Sequence, residues 1–509
     1  MKPSRSALAA GGVLILAATA ACSAGSGPST GDGTGGTGQA GDTSLTIGLV
    51  AEPASLDFTT KDGAAIPQAL LYNVYETLVK IDSASGEMEP ALAKSWQVSD
   101  DGKTYTFDLV EGAKFSSGEA FTAQDAAFSI NRVKSDWTVS LKAAMDVVAE
   151  AKAVSDTQLQ VTLSKPSNTW LYKMTTRIGA MMDENGVADL ANEPIGTGPY
   201  TFGEWRRGDS ISMKANQDYW GDKPYFTDVT LKYFKDATAL NNALLTGTID
   251  VVGTVQAPES LEQFEGNDKY DIVEGTTNGE VLLSFNNSKA PLNDLKVRQA
   301  VRHAIDHKAL VDTCWAGRGE LIGSMVPPTD PWYEDLTGLY PYDVAKAKSL
   351  LAESATPNPT LRLRIPSLPY AVSCGQVVKS QLEQAGFTVN LDQLEFPAVW
   401  LEQVFTNADY DMSIVAHVEP RDLGAVFGDP KYYTRYSNPQ LQADLAAADA
   451  APEAQYVDLM KKAARELSED AAGDFLFLLP NLIVAEKGIT GLPENAITES
   501  FDLSALARS

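Results

Sequence analysis

The chain has 509 residues, 67 acidic against 40 basic side chains, a formal net charge of −27, three cysteines and three histidines. So acidic a surface argues against nucleic acid and anionic lipid faces as partners. The length exceeds what one hydrophobic core holds, so two or three domains are expected.

Lys2 and Arg5 precede a short apolar run over residues 8–18. That run is too short for roughly 30 Å of hydrocarbon and has the layout of a secretory signal peptide, residues 1–21. The small residues Thr19, Ala20 and Ala21 lead into Cys22, an arrangement similar to a bacterial lipobox, in which the thiol is lipidated before cleavage. Thr19 stands where leucine is usual, and an ordinary signal peptide with an incidental cysteine is the alternative. Residues 22–43 are dominated by Gly, Ser and Thr, a tether with a root-mean-square span of roughly 25 Å. The expected location is the extracytoplasmic face of a bacterial membrane, held by lipid. With Cys22 lipidated, Cys314 and Cys374 are an even pair in an oxidising compartment, and a disulfide between them is expected. Two separate buried thiols are the alternative.

The first element of the body is LTIGLV at 45–50, read as a buried strand. Period-two alternation marks strands at Tyr105-Thr-Phe107-Asp-Leu109, at 159–163 and at 229–233. Val297, Ala300, Val301, Ala304 and Ile305 form one helical stripe after a cap at Asn293 or Asp294. Further helices are predicted over 344–353 and from about 375 to 384. YDMSIVAHV at 410–418 reads as a nearly continuous buried strand, and FLFLLP at 475–480 as a core strand. Helices and strands alternate throughout, so the class is α/β, without a short repeat, a coiled coil or a second membrane span.

Several longer stretches occur in a telling order: EPASLD at 52–57, YETLVKID at 75–82, EPALAKSWQVSDDGKTYTFDLVEGAKF at 89–115 and IGTGPY at 195–200. LLTGTIDVV at 244–252, FNNSKAPLNDLKVRQAVRHAIDHKALV at 285–311 and YPYDVAKAKSLLAES at 340–354 follow. Together they resemble family 5 extracellular solute-binding proteins, the peptide- and nickel-binding group that feeds ABC importers, and the resemblance runs from 45 to 509. Read physically, these motifs specify scaffold: Trp96, Tyr105 and Phe107 for a core, Asp101-Gly102 for a tight turn, Gly196, Gly198 and Pro199 for a loop. The resemblance implies a two-lobed type II periplasmic-binding-protein fold with an extra subdomain in the first lobe and a discontinuous chain path. Lobe I is expected at 45–283 plus 475–509 and lobe II at 284–474, with strand 475–480 returning to lobe I. Ligand would bind in the cleft between lobes, which close about a hinge.

The stretch His417-Val-Glu419-Pro-Arg421-Asp422 lies just past a predicted strand, where loops of open α/β sheets face the ligand crevice. It offers both signs of charge, which the two ends of a peptide require. In peptide-binding relatives a carboxylate near this place holds the ligand's amino terminus, so the resemblance gives Glu419 or Asp422 that role; the alternative is that Arg421 merely pairs with its neighbours. Trp400 and Tyr370 lie where the family places pocket-lining aromatics, with core packing as the alternative. Leu368 stands where some dipeptide-binding relatives carry arginine, which argues against strict dipeptide specificity. Phe58, Thr59 and Thr60 are expected to border the cleft from lobe I. His303 and His307 are four apart on a helix, the spacing of a metal pair, but Ala304 stands where a metalloprotease carries glutamate, and both read as surface or boundary residues. His417 is the better metal or ligand candidate, and the sequence contains no metal cage and calls for no cofactor.

The expected function is a monomeric, lipid-anchored solute-binding subunit of an ABC importer. It would capture an oligopeptide-like solute by hinge closure and deliver it to a membrane permease powered by a separate ATPase subunit, with no chemistry in this chain. A sensory peptide-binding lipoprotein is one alternative. A secreted hydrolase is another, although neither a G-x-S-x-G elbow nor HExxH is present. An opine, an oligosaccharide or a metal chelate are the alternative ligands.

Overall fold

The computed structural model describes residues 43–509, so the expected signal peptide, Cys22 and the tether lie outside the described residues. Two large sheets organise the body. In the first, seven strands lie in the order Tyr270–Gly275, Asn481–Glu486, Val251–Val252, Ser44–Leu49, Asp228–Tyr233, Ser210–Ala215, Tyr200–Arg206. Ser44–Leu49 runs parallel to both its neighbours, and the other pairings are antiparallel.

The second sheet has five strands, in the order Thr388–Leu394, Thr360–Pro366, Met412–His417, Glu280–Phe285, Gly473–Leu478. Strand Glu280–Phe285 is buried along its whole length because successive side chains enter different cores. Val281, Leu283 and Phe285 pack among helices Leu295–Ala304, His307–Cys314 and Pro369–Gln384. Leu282 faces the other way, into the core of helices Pro439–Ala450 and Glu453–Glu469. A helix-covered strand of this kind reads as an unbroken apolar run, as it does here.

A third, antiparallel sheet of Ala93–Val98, Thr104–Leu109, Gln158–Leu163 and Val148–Ser155 carries helix Ala123–Asp136 and shares the core of the first sheet. This is the appended subdomain. Its Asp101-Gly102 turn has Gly102 at φ +68°, the left-handed region that glycine tolerates. Thr122 and Asp125 close a capping box at the start of the helix. In the IGTGPY loop, a Cβ on Gly198 would stand 2.3 Å from the Asn73 carbonyl oxygen, so only glycine fits that approach.

The chain crosses between the two large sheets at 276–279 and at 479–480. The crossings are tied to each other: Leu479 N donates to Gly279 O at 2.9 Å and Thr277 Oγ1 to Leu479 O at 2.6 Å. This corrects two expected boundaries. Gly473–Leu478 pairs with Glu280–Phe285 in the second sheet, and the strand returning to the first is Asn481–Glu486. Position 283 falls inside Glu280–Phe285 rather than at its edge. FLFL and LIVA are equally apolar, so hydropathy does not tell which sheet each joins.

Two helix limits also differ from expectation. The stripe of 297–305 ends at Ala304, Ile305 is extended, and Asp306 caps a new helix, so His303 and His307 stand on different helices. The helix expected from 375 begins at Pro369, a residue whose fixed φ suits a first turn.

The lobes also touch away from the crossings. Asp449, at the end of helix Pro439–Ala450, accepts on Oδ1 from Ser167 Oγ at 2.8 Å, Thr169 N at 3.1 Å and Thr169 Oγ1 at 2.7 Å. Asn168 donates its backbone N–H to Asp449 O, and its side-chain amide to Ala448 O and Ala451 O. Carbonyls at the C-terminal end of a second-lobe helix, where intrahelical partners run out, thus accept from the first lobe. Among the described residues no helix is long and apolar enough to cross a membrane.

Candidate ligand site at the 417–422 loop

Strand Met412–His417 ends at a buried histidine, 6 % exposed. The His417 ring stacks on Tyr433, with centroids 5.9 Å apart and planes at 17°, and its Nε2 lies 2.9 Å from the Tyr433 hydroxyl. Its Nδ1 lies 3.4 Å from Asp422 Oδ2. Asp422 occupies the N-cap position of helix Leu423–Gly428, where an aspartate ordinarily bonds back to the helix, but its side chain makes no such bond. It is 5 % exposed, and neither carboxylate oxygen has a hydrogen-bond partner among the described residues.

Glu280 joins this group from the next strand. It pairs across the sheet with His417, which places both side chains on one face. It is 3 % exposed and its Oε2 is also without a partner among the described residues.

Arg421 adopts φ +54°, an unusual conformation for a side-chain-bearing residue. Its guanidinium lies 3.7 Å from the Tyr172 ring centre and 4.9 Å from that of Trp332, and Nε reaches Asp330 Oδ1 at 3.3 Å. Stacking and pairing together hold the guanidinium in one place.

The first lobe brings two more cations. Lys173 Nζ donates to Pro420 O at 3.0 Å. Arg177, 1 % exposed, donates its N–H to Glu499 Oε2 at 2.7 Å. Its Nη2 lies 2.9 Å from both Glu499 Oε1 and Glu419 Oε1, and its Nη1 bonds Gly63 O. Glu419 therefore bridges lobes through one buried arginine.

These contacts set the electrostatics. Burial pushes Glu419 up, but Arg177 and His417 outweigh it and hold the carboxyl below its ordinary value. Burial, reinforced by Asp422, drives Glu280 well above its ordinary value. Burial raises Asp422 too, against the pull of His417. Burial carries Asp330 to about 6 despite Arg421. Lys173 is lowered by burial, against Asp422, Glu499 and Glu419.

Of the residues expected from sequence, His417, Glu419, Arg421 and Asp422 are brought together. Trp400 lies behind them in a buried aromatic group; its Nε1 donates to Ser413 Oγ at 3.1 Å and its ring meets Tyr433 edge-on. Tyr370 is buried against Trp315, and its hydroxyl accepts from Ala416 N at 2.9 Å, bracing the strand beside His417. Phe58 packs between Tyr75 and Trp137, while the Thr59 and Thr60 hydroxyls donate to Asp57. Cys314 and Cys374 are disulfide-bonded, joining helix His307–Cys314 to the helix that carries Tyr370. His303 binds Pro341 O, and His307 the buried Asp474, both outside this group.

Sequence reasoning missed Glu280, Lys173, Arg177 and Glu499. Glu280 left a signal, a lone acid opening an otherwise apolar strand; the other three look like ordinary surface charges until the fold buries them. A metal reading gains something as well: ligand atoms of His417, Glu419 and Asp422 lie within 4.8 Å of one another. Arg177 already occupies Glu419, so a metal would compete with a guanidinium.

Residues 87–439 match the family described as bacterial extracellular solute-binding proteins, family 5. Heme-binding protein A of Haemophilus influenzae is 31 % identical over 312 residues, 56 % of this chain and 57 % of its own length. The nickel-binding periplasmic protein of Escherichia coli is 31 % identical over 360 residues, 65 % of this chain and 67 % of its own length. The match to the first of these thus spans little more than half of that relative. The Helicobacter pylori periplasmic binding protein DppA, solved with the peptide STSA, superposes with a TM-score of 0.82 at 22 % identity, over 91 % of this chain and 98 % of its own. Fold and matched sequence define the class, a two-lobed α/β solute-binding protein of the type II periplasmic kind. The chain belongs to family 5 of the bacterial extracellular solute-binding proteins, a family of binding proteins rather than enzymes.

Proposed function

We propose that this protein is the solute-binding subunit of an ABC importer, held outside the cell by a lipid on Cys22, and that it captures an oligopeptide-like solute between its lobes. The observation that carries the reading is Asp422, a buried carboxylate with both oxygens unbonded among the described residues. A buried carboxylate that takes no hydrogen bond and has His417 Nδ1 3.4 Å away is poorly compensated, so the site favours a guest that brings a cationic group. Glu419 and His417 flank that seat, and Arg421, Lys173 and Arg177 supply positive charge for the guest's carboxylate. Trp400 and Tyr370 support the second-lobe wall, and Phe58, Thr59 and Thr60 stand next to the first-lobe segment whose Gly63 carbonyl meets Arg177. Closure about the paired crossings then presents both lobes to a permease that a separate ATPase powers.

A thermal-shift screen of tri- to pentapeptides tests the ligand class, since a guest that binds the native form raises the melting temperature. Asp422→Asn is expected to weaken peptide binding at least tenfold. Stabilisation by a nickel–histidine chelate and by no peptide would sink the reading. The anchor is tested separately: Cys22→Ser should appear in the culture medium, and full retention on the membrane would refute lipid attachment.

A further inference from the structure

Glu280 and Asp422 come from segments about 140 residues apart in sequence, yet they share one neighbour. Glu280 is paired across the sheet with His417, and His417 Nδ1 stands 3.4 Å from Asp422 Oδ2. Both carboxyl groups are more than nine-tenths buried, and three of their four oxygens have no partner among the described residues. We propose that Glu280 is a specificity-determining residue: with Asp422 it forms a carboxyl pair that holds one proton, and a solute's cationic group enters in exchange for that proton.

The inference deepens the peptide-binding reading above and rests on it. Its physical basis is charge balance in a site withdrawn from water. With one proton the pair carries one negative charge. After exchange the two carboxylates and one ammonium carry the same net charge, so no extra charge is left uncompensated in a buried place. The proton passes to solvent.

The surrounding groups fit this account. From the 412–422 segment, His417 and Glu419 face the pair, the latter neutralised by Arg177. Asp330 contributes from the second lobe, already engaged by Arg421. From the first lobe come Lys173, which directs one of its N–H donors at Pro420 O, and Glu499, which is bonded to Arg177. None of these cations hydrogen-bonds an Asp422 oxygen. Burial, with repulsion from Asp422, raises Glu280, and burial raises Asp422, so both shifts run in the direction that favours holding a proton.

Calorimetry of the intact protein with tetra-alanine, in two buffers of different protonation enthalpy at pH 7, reads the exchange directly. About one proton is expected to be released per peptide bound, with affinity rising up to tenfold per pH unit where the pair titrates. In Glu280→Gln the release should vanish. On the unmodified protein, N-acetyl-tetra-alanine, which lacks the cation, should bind more weakly and without release; this arm holds even if the variant fails to fold. Tetra-alanine binding without proton release, or release that survives in Glu280→Gln, overturns the exchange while leaving peptide capture standing. No binding of tetra-alanine counts against both.

Discussion

Glu76 shows at the residue scale how burial alone creates a pH dependence. Its carboxylate accepts from Tyr219 Oη and Trp220 Nε1, each at 2.9 Å, yet burial lifts its pKa to about 7 against these lowering bonds. The folded state therefore keeps a proton that the unfolded chain loses near the ordinary carboxyl value of 4.5. Stability is full below that value and is lost as pH rises from there through about 7. The rise corresponds to about 3 kcal/mol. Urea denaturation of Glu76→Gln is expected to show a much flatter stability profile between pH 5 and 8 than the parent; an unchanged slope would refute the assignment. At the same scale, half of the candidate site was legible. His417, Glu419, Arg421 and Asp422 fall within six residues at the end of an apolar strand, so chain order announced them. Lys173, Arg177 and Glu499 reach the same place from the other lobe, and sequence carries no mark of a charge that long-range folding will bury.

At the scale of elements, the strands were the most readable, and their partners the least. Glu280–Phe285 and Gly473–Leu478 are apolar on both faces because helices cover both, so periodicity reported burial without reporting the sheet. Pro480, which lies in the second crossing, was the available punctuation and was instead read into the strand. Helix ends depended on caps. Asp294, Asp306 and Asp343 each accept from a backbone N–H of the following helix, and only the first was anticipated. Caps also allow a quantitative check on the subdomain. Thr122→Ala removes one side of its capping box and should cost about 1 kcal/mol, read as a lower denaturation midpoint with an unchanged m-value; a neutral result would mean the Asp125 bond to the cap backbone suffices.

Considered as a whole, the molecule holds its lobes together at several places among the described residues, including the crossings, the Arg177–Glu419 bridge, the Lys173 and Arg421 contacts beside it, the Arg318 pairs with Glu265 and Glu274, and the seating of the Asp449 helix end on residues 167–169. In the last of these, the Asp449 side chain bonds Ser167 and Thr169 and none of the candidate ligand residues, so it can be altered without touching the guest. Asp449→Ala deletes three hydrogen bonds to one carboxylate oxygen. Peptide release, followed by stopped-flow fluorescence, should quicken about tenfold, equivalent to about 1.4 kcal/mol. An unaltered release rate would show that this contact contributes nothing to closure.

The bonded crossings carry a mechanical consequence. If the lobes close about them, two connectors joined by hydrogen bonds would turn together about a single pivot, like a door on paired pins. Guests of varied length would then differ in how tightly the door is held and little in the angle at which it stops. A partner straddling both halves would meet the same outline whatever the cargo.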